Sequence, residues 1–189
     1  MSDSSQLQTY RAQFTEAKQT AQSLTADLSD EQFNQAPAPG KWSVGQCLDH
    51  LNEAGGLLVP RLEAAIERAQ RDGPFAEGPF RYGMFSRWFI RMMEPGSSMK
   101  LPAPSGYTPA PEPLDPEAVG TAFAELQDRL IACTERADGL DLRRIRVGSP
   151  LASWVRLSLG AWLEATAAHQ RRHLQQARRV LQVLDVSTD

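Results

Sequence analysis

The chain has 189 residues and is 41% hydrophobic, enough for one well-formed core and short for two, so a single domain spanning 1–189 is expected. A formal net charge of -3, with arginines scattered among acids, gives no basic field and excludes nucleic acid as a favoured partner. Two cysteines, Cys47 and Cys133, make no disulfide framework, and there is no run of about 18 apolar residues and no apolar leader, so the expected location is the cytoplasm, with no membrane partner.

In chain order, Tyr10, Phe14, Ala17, Ala21, Leu24 and Leu28 recur at three- and four-residue steps, which predicts a first amphipathic helix over about 6–28. Ser29-Asp30-Glu31-Gln32 reads as a capping box opening one short turn that Pro37 and Pro39 stop. Ser43-Val44-Gly45-Gln46 repeats the signal and opens a second long helix over about 43–72. Its buried stripe is Val44, Leu48, Leu51, Leu58, Leu62 and Ile66. Pro60 removes a donor to the carbonyl of Gly56, which predicts a kink there.

Residues 75–94, with Phe80, Tyr82, Phe85, Trp88 and Phe89 among arginines, read as a short helix within a long connection. Residues 95–116 hold seven of the thirteen prolines and suit an extended crossover, long enough to join two helices running parallel. Asp115-Pro116-Glu117 then opens a third helix over about 116–137, stopped by Gly139. Ser149-Pro150 repeats the device before a fourth over about 150–184. No alternating strand pattern is visible. The elements thus predict an all-α four-helix bundle with long crossover loops.

The last helix carries His169-Gln170-Arg171-Arg172-His173. Four residues apart, the two imidazoles lie one turn apart on one face, where both can reach one ion without bending the backbone. Such a pair also occurs as a solvated face. The third histidine, His50, lies on the second helix beside a core stripe, and the chain has no fourth. Three histidines from two helices would make a three-nitrogen site that leaves a position open for water or substrate.

The stretch Gly40-Lys41-Trp42-Ser43-Val44-Gly45-Gln46-Cys47-Leu48-Asp49-His50-Leu51 and the downstream Ala168-His169-Gln170-Arg171-Arg172-His173-Leu174-Gln175-Gln176 together resemble the DinB-like (DinB/YfiT) superfamily. The connection Met99-Lys100-Leu101-Pro102-Ala103-Pro104 is similar to the lysine-proline segment of one large branch. The resemblance spans nearly the whole chain. It implies a four-helix bundle, often homodimeric, holding a divalent ion (zinc or nickel, with iron a further candidate) on His50, His169 and His173.

Around that site, Glu53, three residues after His50, is a candidate catalytic residue: an extra ligand, an acceptor for one, or a general base, set against an ordinary solvated carboxylate. Asp49 points about 100° away and reads as a surface residue. Gln176, nearly back at the angle of His169, is a candidate to hold a ligand imidazole or a water, although such a glutamine more often caps a polar edge. Cys47 is left out as a small buried apolar residue. The aromatic segment from Phe80 to Arg91, with Trp42 and Trp162, reads as hydrophobic covering rather than as a lid.

Characterised branches of the family bind a low-molecular-weight thiol such as bacillithiol or mycothiol at the open position. The first function expected is therefore metal-dependent thiol S-transfer of detoxification or stress type, with a small-molecule thiol and an electrophilic substrate as partners. A hydrolase activating water at the same site, and a non-catalytic stress-induced metal-binding protein, are the alternatives.

Overall fold

The computed structural model describes residues 5–97, 109–111, 113–150, 152 and 154–186. In chain order the elements are helices α1 (Ser5–Thr25), α2 (Asp30–Asn34), α3 (Val44–Asp72), α4 (Met84–Met93) and α5 (Pro116–Arg136), strands β1 (Arg146–Gly148) and β2 (Arg156–Ser158), and helix α6 (Leu159–Val183). The capping boxes form as the sequence predicts. Ser29 and Ser43 each accept from the backbone N–H three residues on, while Gln32 and Gln46 accept from the cap's own N–H. Asp115 caps α5 with Pro116 in its first turn. Each cap is worth about 1 kcal/mol to its helix.

Pro60 lies inside α3, where it leaves the Gly56 carbonyl without its ladder partner. Both residues are exposed, so water reaches that carbonyl.

Four helices, α1, α3, α5 and α6, surround the core, with α1 and α3 each packed against both α5 and α6. The buried side chains fall into two clusters. One joins Phe14 of α1, Leu62 and Ile66 of α3, Leu130 of α5 and Leu159 and Leu163 of α6. The other joins Ala21 and Leu24 of α1, Leu48 and Leu51 of α3, Phe123 of α5 and Leu174 and Leu181 of α6. The early parts of α3 and α5 thus share one end with the late parts of α1 and α6. Hence α3 and α5 run parallel, and the stretch between them, including α4, is the crossover that the proline-rich composition predicts. The segment Met99-Lys100-Leu101-Pro102-Ala103-Pro104 lies outside the described residues.

The fourth helix differs from expectation. It starts at Leu159 rather than at about 150, because β1 and β2 pair antiparallel as a small hairpin, Val147 opposite Leu157. Backbone bonds from Ser149 N–H to the Val155 carbonyl and from Leu159 N–H to the Ile145 carbonyl extend that pairing on either side. Ser149 does accept from the Ala152 N–H, so the predicted cap forms a turn, but Ser158, accepting from Ala161 N–H, is the cap of the helix. Each strand has three residues, too few for an alternating pattern to register. The first helix also stops earlier, at Thr25, and the short helix within 75–94 is confined to Met84–Met93.

Polar contacts fix the connection before α4. Gln6 accepts from the Phe80 N–H at 2.9 Å, and Tyr10 OH lies 3.0 Å from Tyr82 OH and donates to Glu164 at 3.2 Å. Burial pushes the Glu164 carboxyl above its usual range. Beyond Met93, Arg171 of α6 donates to Glu94 at 2.5 Å and Arg172 donates to the Met92 carbonyl at 2.9 Å, tying the end of α4 onto α6. Among the described residues no helix is long and apolar enough to cross a membrane.

Candidate metal centre

The three histidines converge between the two apolar clusters. His50 projects from the second turn of α3, and His169 and His173 project from α6 one turn apart. His50 is 4% exposed and His173 8%, with His169 half-buried. Each offers a ring nitrogen, and these nitrogens all lie within 4.8 Å of one another. The Nε2 atoms of His50 and His169 stand 3.2 Å apart. Bonds of ~2.0–2.1 Å at a tetrahedral ion put two ligand nitrogens about 3.3–3.4 Å apart, so this pair is already close to shared coordination.

The electrostatics favour the ligating form. Burial first, then the neighbouring His50 and the Arg172 guanidinium, push His173 down to about 3, while the Gln176 side chain pulls the other way. Burial, with His173, His50 and Arg172 adding to it, holds His169 well below the ordinary imidazole range. Both rings are therefore neutral at pH 7, as metal ligation requires. His173 Nδ1 is buried with no hydrogen-bond partner, an orphan of the kind a cation can satisfy. The residues fit a divalent ion.

Trp42 backs the cluster, its ring 4.9 Å from that of His50 and 5.6 Å from that of His173. His50 and His169 also line a cavity of about 240 Å³ bounded by α3, α4 and α6. Phe89, Met92 and Met93 from α4 and Trp162 from α6 line it. The aromatic segment thus does more than the covering expected of it: the inner face of α4 walls the cavity beside the histidines. Trp42 and Trp162 likewise abut the site.

Glu53 is not brought to the cluster. It is exposed, and it is neither among the grouped donors nor among the residues lining the cavity; Ala54 and Gly55 take that wall instead. Asp49 has a use the surface reading lacked: its carboxylate accepts from Ala110 N–H at 2.7 Å, docking the returning crossover onto α3. Cys47 is fully buried, and burial pushes its thiol up to about 12, which agrees with leaving it out. Gln176 reaches His173, as a residue holding an imidazole would.

Gln170 is a residue that no pattern in the chain singles out. It is 2% exposed, lines the cavity next to His169, and its Oε1 has no hydrogen-bond partner. A glutamine between two candidate ligand histidines reads as helix surface until the packing of α4 against α6 is known.

A sequence profile described as the DinB superfamily matches residues 13–177 of this chain. "Uncharacterized protein YuaE" of Bacillus subtilis (strain 168) is 23% identical over 176 residues, spanning 91% of this chain and 97% of that protein. A solved structure is similar too, described as "YfiT from Bacillus subtilis is a probable metal-dependent hydrolase with an unusual four-helix bundle topology". It superposes with a TM-score of 0.63 at 16% identity over 96% of this chain and 89% of that one. At such identity the likeness is one of fold.

Proposed function

Because the chain belongs to the DinB superfamily, we propose that it is a divalent-metal enzyme holding its ion on His50, His169 and His173, with an open coordination position beside the apolar cavity. The observation that carries this reading is the convergence of three ring nitrogens from two helices, two of the rings also lining that cavity. A divalent cation bound there would ionise a coordinating thiol outright, and water only in part at neutral pH.

The chain's own residues supply the rest. Burial keeps the His169 and His173 imidazoles neutral, Trp42 packs against His50 and His173, and α4 lines the cavity with apolar side chains. Among the described lining residues the histidines are the only ionisable groups, so none of these residues offers a carboxylate to take a proton from water. That favours thiol S-transfer of detoxification or stress type, in which a small thiol meets an electrophilic substrate. The likeness of fold to YfiT, described as a probable metal-dependent hydrolase, favours hydrolysis as the second reading. In that reading Glu53 would have to act from outside the cavity. A stress-induced metal-binding protein without turnover is the third. Three imidazoles suit zinc, nickel or iron, with availability deciding among them.

The same proposal takes the protein as a cytoplasmic homodimer. Elemental analysis of untagged protein tests the metal. A panel of thiols read by the absorption of the cobalt- or nickel-loaded protein, run beside ester and amide turnover, then separates the readings. A spectral shift with one thiol supports transfer, ester or amide turnover without a shift supports hydrolysis, and silence in both supports the non-enzyme.

A further inference from the structure

We infer that the cavity beside the histidines is a subsite for a compact, uncharged, apolar substrate group carrying one neutral hydrogen-bonding atom, and that Gln170 is the residue that reads that atom. Its identity as a substrate subsite rests on the metal-enzyme reading above; its selectivity stands on the cavity alone.

The walls come from three helices: Leu51 and Leu58 from α3, Phe89 and Met92 from α4, Trp162 and Ala165 from α6. Trp162 spends its one polar atom elsewhere, donating Nε1–H to the Val147 carbonyl at 3.0 Å, so it presents only ring to the cavity. Among the described lining residues none is acidic, lysine or arginine, and the polar side chains besides the two histidines are Ser149, Thr166 and Gln170. An apolar cavity of ~150 Å³ accepts benzene. At about 240 Å³ this one takes a single ring or branched chain with a short substituent. The unbranched methionine side chains let the wall adapt to its outline.

A charged group would lose part of its hydration here with no counter-ion among the described wall residues, which disfavours it everywhere except against the histidines. Gln170 adds the polar requirement. It is 2% exposed, and its Oε1 is buried with no hydrogen-bond partner. The two amide atoms of a glutamine exchange places by a flip, so the matching substrate atom is a neutral donor or a neutral acceptor. A buried amide left unpartnered by an occupant lacking such an atom selects against that occupant.

The test uses three probes of similar size: benzamide, ethylbenzene and benzylammonium. Each is titrated into full-length protein carrying methyl-labelled methionine, metal-loaded and, separately, chelated, with the Met92 and Met93 methyl signals followed by NMR. Benzamide is expected to shift both methyls in both forms, and benzylammonium to bind at least about tenfold more weakly. Gln170→Leu should weaken benzamide about tenfold, which corresponds to ~1.4 kcal/mol, while changing ethylbenzene by less than about twofold. Ala54→Phe, which fills the cavity from α3, should abolish the shifts and leave metal content unchanged.

Equal binding of benzylammonium and benzamide, or methyls that stay still with all three probes, would overturn the inference. So would an unchanged benzamide-to-ethylbenzene ratio in folded Gln170→Leu. If that variant does not fold, the ranking of probes on the native protein and the Ala54→Phe result decide. Probe binding without any metal in the purified protein would sink the metal-enzyme reading and leave the subsite standing; metal without probe binding would do the reverse.

Discussion

Burial of His169 and His173 has a consequence that does not depend on which reaction the site performs. Unfolded imidazoles titrate near ~6.5. In the fold His173 is pushed down to about 3 and His169 is lowered as well, so between those values the unfolded chain binds more protons than the folded one. These histidines therefore contribute stability that is full above about 6.5 and is lost as pH falls toward their folded values. Melting temperature should drop with acidification below pH 6.5 even in chelator. An ion held on the same nitrogens adds to the effect, because it favours the folded state by mass action and competes with protons. The chelator-induced shift in melting temperature should accordingly be larger at pH 7.5 than at pH 5; equal shifts would place the metal elsewhere. Single substitutions His50→Ala, His169→Ala and His173→Ala should each greatly weaken metal retention while circular dichroism keeps its helical signal, since the apolar clusters on either side do not use these rings. Full metal occupancy in any of the three would remove that residue from the ligand set. The i,i+4 pair was legible in the chain because helical spacing alone puts His169 and His173 on one face, whereas His50 joined it only through the family resemblance. Gln170 was not, because its burial is caused by elements remote in sequence.

At the scale of elements, the start of α6 shows how much a single methyl group can matter. A Cβ added at Gly160 would collide with the Tyr82 hydroxyl and lie 3.0 Å from Leu142 Cβ. The hydroxyl is already held by Tyr10 and Gln6, so it cannot step aside cheaply. Gly160→Ala should destabilise the protein by about 1–3 kcal/mol, the usual cost of overpacking, read as a lower urea midpoint with an unchanged slope. A stability within a few tenths of a kcal/mol of the native protein would show that the connection carrying Tyr82 is not packed tightly on α6. The same element exposes the main misreading. Ser149-Pro150 is a sound local start signal and does make a turn, yet the chain runs on into β2 because its backbone groups are bonded to residues 145–149, and only Ser158 releases it into helix. Local propensity was outvoted by a hairpin whose strands are three residues long. For α3 and α5, whose capping residues are local to each helix, the predicted starts hold.

For the whole molecule, the outer face of α4 bears on assembly. Met84 is 86% exposed, Phe85 54% and Trp88 51%, with the Phe85 and Trp88 rings 5.8 Å apart, while Phe89, Met92 and Met93 of the same helix line the cavity. A homodimer burying this face is expected at micromolar concentration, and Trp88→Glu should weaken it; a monomer mass for the native protein by light scattering would refute this. What the sequence determined by itself was the all-helical class, the capped starts of α3 and α5, a connection between them long enough for a parallel crossover, and the placing of His169 and His173 on one helical face. Each of these follows from signals within one helix or from the composition of one connection. The tertiary structure decided what depends on contacts between distant segments: the hairpin before α6, the solvent-facing position of Glu53, the placement of Trp42 and α4 against the site, and the burial of Gln170. Periodicity fixes the angle of a side chain around its own helix, but burial and chemical environment are set by what packs on that helix from elsewhere in the chain.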